Sequence, residues 1–250
     1  MRYVIFIGLV TALIIGCHHV GSLEEDAGPD ADTDSDSDTD TETDTDTGTD
    51  TGPNECTQGE YSGDVVIATQ SDVAALAGHT SISGYLYISC PSCTDLSELV
   101  CISSVGGRLA IRNNGALTNL DGLSGITTVG RYLEIWNNDT LTNLDGLSAL
   151  TSLGEYLDVW SNLVLTNLDG LSSLTSVGEH LSIGDNPVLT NLDGLGALTS
   201  MNGILWVYSN EVLPDCEVCD LLDQITTAPS PIDVDDNFDD TCTPVPAGCP

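Results

Sequence analysis

The sequence predicts a mainly β repeat solenoid of stacked parallel coils, with short helices at its two ends and a disordered acidic stalk before it. The clearest copy of the repeat is the 24-residue segment 133–156, LEIWNNDTLTNLDGLSALTSLGEY. The same frame begins at Leu109, Leu157 and Leu181, and a truncated copy begins at Leu205. A fixed period of this size is typical of coils that bury an apolar side only by stacking on their neighbours.

The first 16 residues have the layout of a signal peptide. Arg2 gives a positive start, an apolar run extends from Val4 to Ile15, and Gly16-Cys17 closes it. The run is too short to span a membrane. Its ending resembles the lipobox of bacterial lipoproteins, in which the cysteine is lipidated and becomes the first residue; an ordinary export signal with an incidental cysteine is the alternative. We therefore expect a lipoprotein signal peptide over 1–16, a lipid on Cys17, and a protein anchored in the cell outer membrane and exposed at the surface.

Residues 17–53 form an Asp/Thr-rich segment that we expect to be a disordered stalk, because dense like charge and little apolar surface cannot build a core. The whole chain has 39 acidic residues, four arginines and no lysine, for a net charge of -35. This balance argues against nucleic-acid binding through a basic patch. The stalk has no D-x-D-x-D-G-x5-E calcium loop, in which a turn glycine and a bidentate glutamate stand at fixed positions. We therefore expect weak divalent cation binding at most and no specific metal site. The tract resembles surface lipoproteins of myxobacteria-like lineages.

The cysteines predict disulfides in both end regions. Nine are present, and setting Cys17 aside leaves two groups of four that flank the repeats: Cys56, Cys90, Cys93 and Cys101, then Cys216, Cys219, Cys242 and Cys249. Exported proteins form disulfides, so we expect two in each region, with the connectivity open. The two C-x-x-C pairs also have the spacing of zinc or redox motifs. They lie at opposite ends of a rod and lack a βαβ context, so structural disulfides are favoured.

Residues 54–108 predict an N-terminal cap and the first coils. A short strand begins at Asp64, Ser71-Asp72 caps a short helix, and Ile82–Ile88 is the next strand. The order of a short helix, I-x-G-x-L-x-I, D-L-S-x-L-x-x-I and V-G-G-x-L-x-I resembles the receptor L-domain, over roughly residues 64–210. The resemblance implies a right-handed, leucine-rich-repeat-like ligand-binding solenoid. The cysteine-rich domain and the kinase of growth-factor receptors are missing, so receptor signalling is not implied.

Residues 109–210 contain the repeats. We expect residues 211–250 to form a C-terminal cap held by disulfides. Each unit opens with L-x-[IV], an alternation typical of a half-buried strand, and leucines spaced by three favour 3₁₀ turns or an extended coil over a long α-helix. One asparagine per unit predicts a stacked ladder, at Asn114, Asn138, Asn162, Asn186 and Asn210, and Asn119, Asn143, Asn167 and Asn191 predict a second one. Asp-Gly pairs predict turns capped by aspartate. In the cap we expect a helix that ends near Ile225 and a last strand, Ile232–Asn237.

Aromatic residues gather on one face of the predicted sheet. If the L and I of L-x-I point inward, the residues before, between and after them point outward. All three tryptophans and five of the seven tyrosines fall at such positions. We predict ligand binding by Tyr132, Glu134, Trp136, Tyr156, Asp158, Trp160, His180, Trp206 and Tyr208. Aromatic rings flanked by carboxylates suit a glycan or a peptide. The alternative is that rings in register only stack on one another and stabilise the sheet.

No nucleophile–base motif, zinc-protease motif or phosphate-binding loop is present in the sequence, so we expect neither an enzyme nor a cofactor. The sequence predicts a lipid-anchored recognition or adhesion module whose partner is a surface glycan or protein. A structural envelope or surface-coat protein that binds nothing is the alternative.

Overall fold

The computed structural model describes residues 55–227, 229–235 and 237. The predicted signal peptide, the lipidation at Cys17, the stalk and the cysteines Cys242 and Cys249 lie outside these residues. The described chain is a mainly β solenoid, as the repeat predicts. Its strands are, in chain order, β1 (Gly59–Tyr61), β2 (Val65–Ile67), β3 (His79–Ile82), β4 (Leu86–Ile88), β5 (Ser104–Val105), β6 (Leu109–Arg112), β7 (Thr128–Val129), β8 (Leu133–Trp136), β9 (Ser152–Leu153), β10 (Leu157–Trp160), β11 (Ser176–Val177), β12 (Leu181–Gly184), β13 (Ser200–Met201), β14 (Leu205–Tyr208) and β15 (Ile232–Asp235).

These strands form two parallel sheets, where the sequence predicted only one. The L-x-[IV] strands make an eight-stranded sheet, here called the long sheet, in the order β15-β14-β12-β10-β8-β6-β4-β2. The short strands make a seven-stranded sheet in the order β1-β3-β5-β7-β9-β11-β13. Equivalent residues of successive repeats pair, so Leu133 lies opposite Leu157, which lies opposite Leu181. This register places the same repeat position of every coil in one row.

The core between the sheets consists of leucine rows. The inward Leu and Ile or Val of each long strand have almost no solvent exposure, and so do the leucines spaced by three. Each repeat carries one 3₁₀ turn, as the spacing predicted, at Ser97–Leu99, Asp121–Leu123, Asp145–Leu147, Asp169–Leu171 and Asp193–Leu195. Because each leucine meets its own counterpart one coil away, a single repeat has no complete core without its neighbours.

The first asparagine set forms the predicted ladder. Asn138 Nδ2 donates to the carbonyl of Ile111 at 3.0 Å and to Asn162 Oδ1 at 3.2 Å, while the backbone N–H of Asn138 donates to the same oxygen. The five side chains are completely buried. The residue before each has a left-handed backbone, with φ of 52° at Asn137, so the chain turns sharply and the amide satisfies the polar groups that the turn leaves unpaired.

The second asparagine set does not form a ladder between coils, and the prediction was wrong there. Asn143 accepts a hydrogen bond from the backbone N–H of Asp145 and donates to Thr142, both within its own coil. This asparagine, rather than the predicted aspartate, therefore caps the 3₁₀ turn. In the first coil the same place is taken by Asp95, whose carboxylate accepts from the backbone of Ser97.

The glycine after each turn aspartate lets the coils approach closely. A Cβ placed on Gly146 or Gly170 would lie 1.8 Å from a leucine carbonyl oxygen of the preceding coil. No side-chain rotation could relieve a clash with backbone. The Asp-Gly pair thus marks the point of tightest stacking between repeats.

The N-terminal end differs from the prediction in detail. The predicted strand Ile82–Ile88 is two strands, β3 and β4, one in each sheet. The short helix α1 (Gln70–Ala74) begins after Thr69, and Asp72 completes its capping box rather than acting as the first cap. Disulfides join Cys56 to Cys101 and Cys90 to Cys93. The expectation of two disulfides in this region is therefore confirmed.

The C-terminal end follows the prediction closely. Helix α2 (Asp215–Gln224) covers the last repeat, and its residues Cys216 and Cys219 are disulfide-bonded. Strand β15 extends the long sheet, and Asn237 accepts from the backbone N–H of Asn210 at 3.1 Å, which continues the asparagine ladder by one step. No helix in the described part of the chain is long and apolar enough to cross a membrane.

Candidate binding groove

The outer surface of the long sheet carries three rows of side chains. The first row precedes each strand, and the middle and third rows are the second and fourth strand residues. The middle row reads Ala110, Glu134, Asp158, Ser182, Trp206 and Asp233, and the third row reads Arg112, Trp136, Trp160, Gly184, Tyr208 and Asp235. Neighbours within a row are one strand spacing apart, about 4.8 Å. Contacts along and between rows therefore decide what this surface can bind.

The first row is a continuous ring stack. The ring centroids of Tyr132 and Tyr156 are 4.2 Å apart, those of Tyr156 and His180 are 4.4 Å apart, and both pairs are stacked with nearly parallel planes. The edge of Trp206 meets the ring of His180 at 5.5 Å. Burial raises the pKa of Tyr156, which keeps its hydroxyl protonated. Since these ring faces already cover one another, their stacking stabilises the sheet.

The N-terminal half of the surface is filled by arginines of the chain itself. The guanidinium of Arg112 lies 4.7 Å from the ring centroid of Trp136 and forms an ion pair with Glu134, whose side chain is buried. Arg108 donates to the hydroxyl of Tyr132 at 2.8 Å and lies over the ring of Tyr85. The rings of Tyr85, Tyr132 and Trp136 and the carboxylate of Glu134 therefore already have cationic partners within the chain.

The C-terminal half contains an open groove of about 530 Å³. Its lining residues are Trp136, Asp158, Trp160, His180, Ser182, Trp206, Tyr208, Asp233 and Asp235. All three tryptophans of the chain therefore face one groove. Neither lysine nor arginine lines it.

The groove exists because one strand, β12, carries small residues at its outward positions. Gly184 stands where neighbouring coils have Trp160 and Tyr208, and a Cβ at Gly184 would lie 2.7 Å from the Trp160 indole. The indole therefore lies over the glycine. Its Nε1 donates to Ser182 Oγ at 2.8 Å, and its ring meets Tyr208 edge-on at 4.6 Å. Packing and this hydrogen bond fix the orientation of Trp160.

Asp158 supplies an incompletely paired carboxylate in the groove. Its Oδ1 is buried and accepts no hydrogen bond, and the nearest basic atom is His180 Nε2 at 3.8 Å. That separation is too long for a hydrogen bond. Burial, and secondarily the charge of Glu134, raise the pKa of Asp158 to about 7, while Arg112 opposes the rise. Burial lowers the pKa of His180, so its imidazole is neutral at pH 7 and gives the carboxylate no full charge.

The structure brings six of the nine predicted binding residues into this groove and leaves three outside it. Trp136, Asp158, Trp160, His180, Trp206 and Tyr208 line the groove, whereas Tyr132, Glu134 and Tyr156 are engaged in stacking or in the ion pair. Three further residues of the groove, Ser182, Asp233 and Asp235, were not among the predicted binding residues. The L-x-[IV] frame could have identified them, because Ser182 and Asp233 lie in the middle row of the long sheet and Asp235 lies in the third row.

No group of three or more His, Cys, Asp or Glu side chains within the described ranges is arranged to hold a metal ion. Comparison of the chain with models of known protein families, with curated proteins and with solved structures found no match in any of the three.

Proposed function

We propose that this chain is a surface recognition or adhesion module that binds a protein or glycan partner in the groove of the long sheet. The observation that carries the proposal is the joint placement of all three tryptophans around a buried carboxylate oxygen that has no hydrogen-bond partner. A buried acceptor without a partner costs stability, and a ligand donor would remove that cost. Large aromatic side chains around such a group are typical of binding hot spots.

We further propose that the folded part belongs to the receptor L-domain type and reaches its partner on a stalk anchored through a lipid on Cys17. The repeat architecture and the motif order over residues 64–210 support the first point, and the lipobox-like ending at Gly16-Cys17 supports the second. Cys17→Ala should release the protein from membranes into the soluble fraction. A variant that stays bound to membranes would contradict the anchor.

A structural coat protein is the second candidate function, and the stack of Tyr132, Tyr156 and His180 favours it. This stack accounts for part of the aromatic surface without any ligand. It does not account for Trp136, Trp160 and Trp206, which meet around an open volume.

The test combines Trp136→Ala with Trp160→Ala and measures binding to glycan arrays and to cells. Tyr87→Ala is the matched control, because Tyr87 lies at an outward position of the same sheet but does not line the groove. We expect the double variant to lose binding and the control to keep it, with circular dichroism and thermal unfolding showing that both remain folded. Unchanged binding by a folded double variant would leave the coat function as the better explanation.

A further inference from the structure

On the long sheet, a cationic side chain of the chain itself is bound by an aromatic ring and a carboxylate. Arg112 places its guanidinium 4.7 Å from the ring centroid of Trp136 and pairs with the carboxylate of Glu134, one coil further along. A guanidinium over an indole gains from the negative face of the ring, and a carboxylate beside it adds a charge-assisted hydrogen bond. The arrangement shows what this surface geometry can hold.

The next coil repeats the two partners of the cation but not the cation. Asp158 is in register with Glu134, and Trp160 is in register with Trp136. In the third row, Arg112 lies one coil before Trp136. The place one coil before Trp160 is occupied by Trp136, so no guanidinium lies there. Asp158 therefore has no guanidinium partner, and its Oδ1 is the buried oxygen without a hydrogen bond.

The charge of the groove has one sign. Asp158, Asp233 and Asp235 line it, and among the described residues of its lining the one basic side chain is His180, whose pKa is lowered by burial. The chain as a whole carries a net charge of -35, so a cationic group is also drawn toward it over a longer range. A neutral sugar would satisfy hydrogen bonds here but would bring no positive charge to Asp158.

We propose that the groove binds an arginine side chain of a protein partner, with the guanidinium paired to Asp158 and seated among Trp136, Trp160 and Trp206. This inference rests on the proposed binding function of the same groove and specifies its ligand. A planar guanidinium fits better than an ammonium, because it stacks on indole rings and presents several donors to a carboxylate.

The test uses the full chain and three small probes: Nα-acetyl-arginine methylamide, the lysine equivalent, and the citrulline equivalent, which has the shape of arginine without its charge. Tryptophan fluorescence reports the binding, since every tryptophan of the chain lines the groove. Asp158→Asn is the site variant. Asp193→Asn is the matched control, because it removes one negative charge from an exposed 3₁₀ turn away from the groove lining.

We expect the arginine probe to saturate the fluorescence change and to bind about tenfold or more tightly than citrulline, with lysine in between. Asp158→Asn should weaken arginine binding by a similar factor, and Asp193→Asn should leave it unchanged. Equal binding of arginine and citrulline, equal binding of lysine and arginine, equal loss in both variants, or no binding would each overturn the inference. If the chain binds glycans through Trp136 and Trp160 but not the arginine probe, the binding function stands and the arginine assignment fails.

Discussion

Replacing Asp158 by Asn should stabilise the folded chain at neutral and alkaline pH. The pKa of Asp158 is raised from its usual 3.8 to about 7, so between these two pH values the folded state keeps a proton that the unfolded state has lost. The stability that this proton contributes is fully present below about pH 4 and is lost as the pH rises through about 7. Asparagine does not titrate, so the variant avoids the cost of ionising a buried carboxyl.

The size of the effect follows from the same pKa change. A shift from 3.8 to about 7 corresponds to about 4 kcal/mol as an upper value, and to a slope of about 1.4 kcal/mol per pH unit within that range. Partial exposure of the side chain keeps the measured difference below that limit. We therefore expect an advantage of about 2–4 kcal/mol for Asp158→Asn at about pH 8, and little difference at about pH 4.

The assay is urea unfolding of the wild type and the variant across about pH 4 to about pH 8 at constant ionic strength. Taking the difference between the two curves cancels the titration of groups that the substitution does not affect. The lowered pKa of His180 acts in the opposite direction, since it favours the folded state as the pH rises. If the difference in unfolding free energy between variant and wild type is flat with pH, or falls as the pH rises, ionisation of Asp158 does not destabilise the fold and the reasoning is refuted.

Three further predictions concern the groove, the ladder and the cap. Gly184→Ala should destabilise the fold by about 1–3 kcal/mol and shift the tryptophan emission, because its Cβ would displace the Trp160 indole; unchanged emission would contradict the packing. Asn162→Ala leaves buried backbone groups without partners and should cost about 3 kcal/mol or more in chemical unfolding, whereas Asn143→Ala, which removes only a local turn cap, should cost about 1 kcal/mol; equal costs would argue against the ladder. Cys56→Ser opens a loop with a sequence separation of 45 and should lower the free energy of unfolding by about 4 kcal/mol relative to the oxidised wild type, and Cys101→Ser, which removes the same disulfide, is the control that should match it.

The repeat made most of the fold predictable. Strict recurrence of Leu, Ile or Val and Asn at 24-residue intervals fixes the strands, the register and the ladder, because in a parallel stack each residue meets its own counterpart. The second sheet was missed because its strands, such as Ser152–Leu153, are only two residues long and show no alternation to detect. The second asparagine row was mistaken for a ladder for a related reason. Periodicity shows that Asn143 recurs, but not whether its amide turns toward the next coil or toward its own turn.

Most of the residues that line the groove could be predicted from the sequence, but the shape of the groove could not. The L-x-[IV] frame places Trp136, Trp160 and Trp206 on one surface, but it treats every outward position as equally exposed. The depression arises because Ser182 and Gly184 are small, which lets Trp160 lie flat across the next strand beside Asp158, whose Oδ1 has no hydrogen-bond partner. A glycine in a strand weakens the sheet and marks the close approach of another group. Here that group is the indole of the preceding coil. The departure of β12 from the repeat therefore packs Trp160 across the sheet and opens the space beside Asp158 where we propose that a ligand binds.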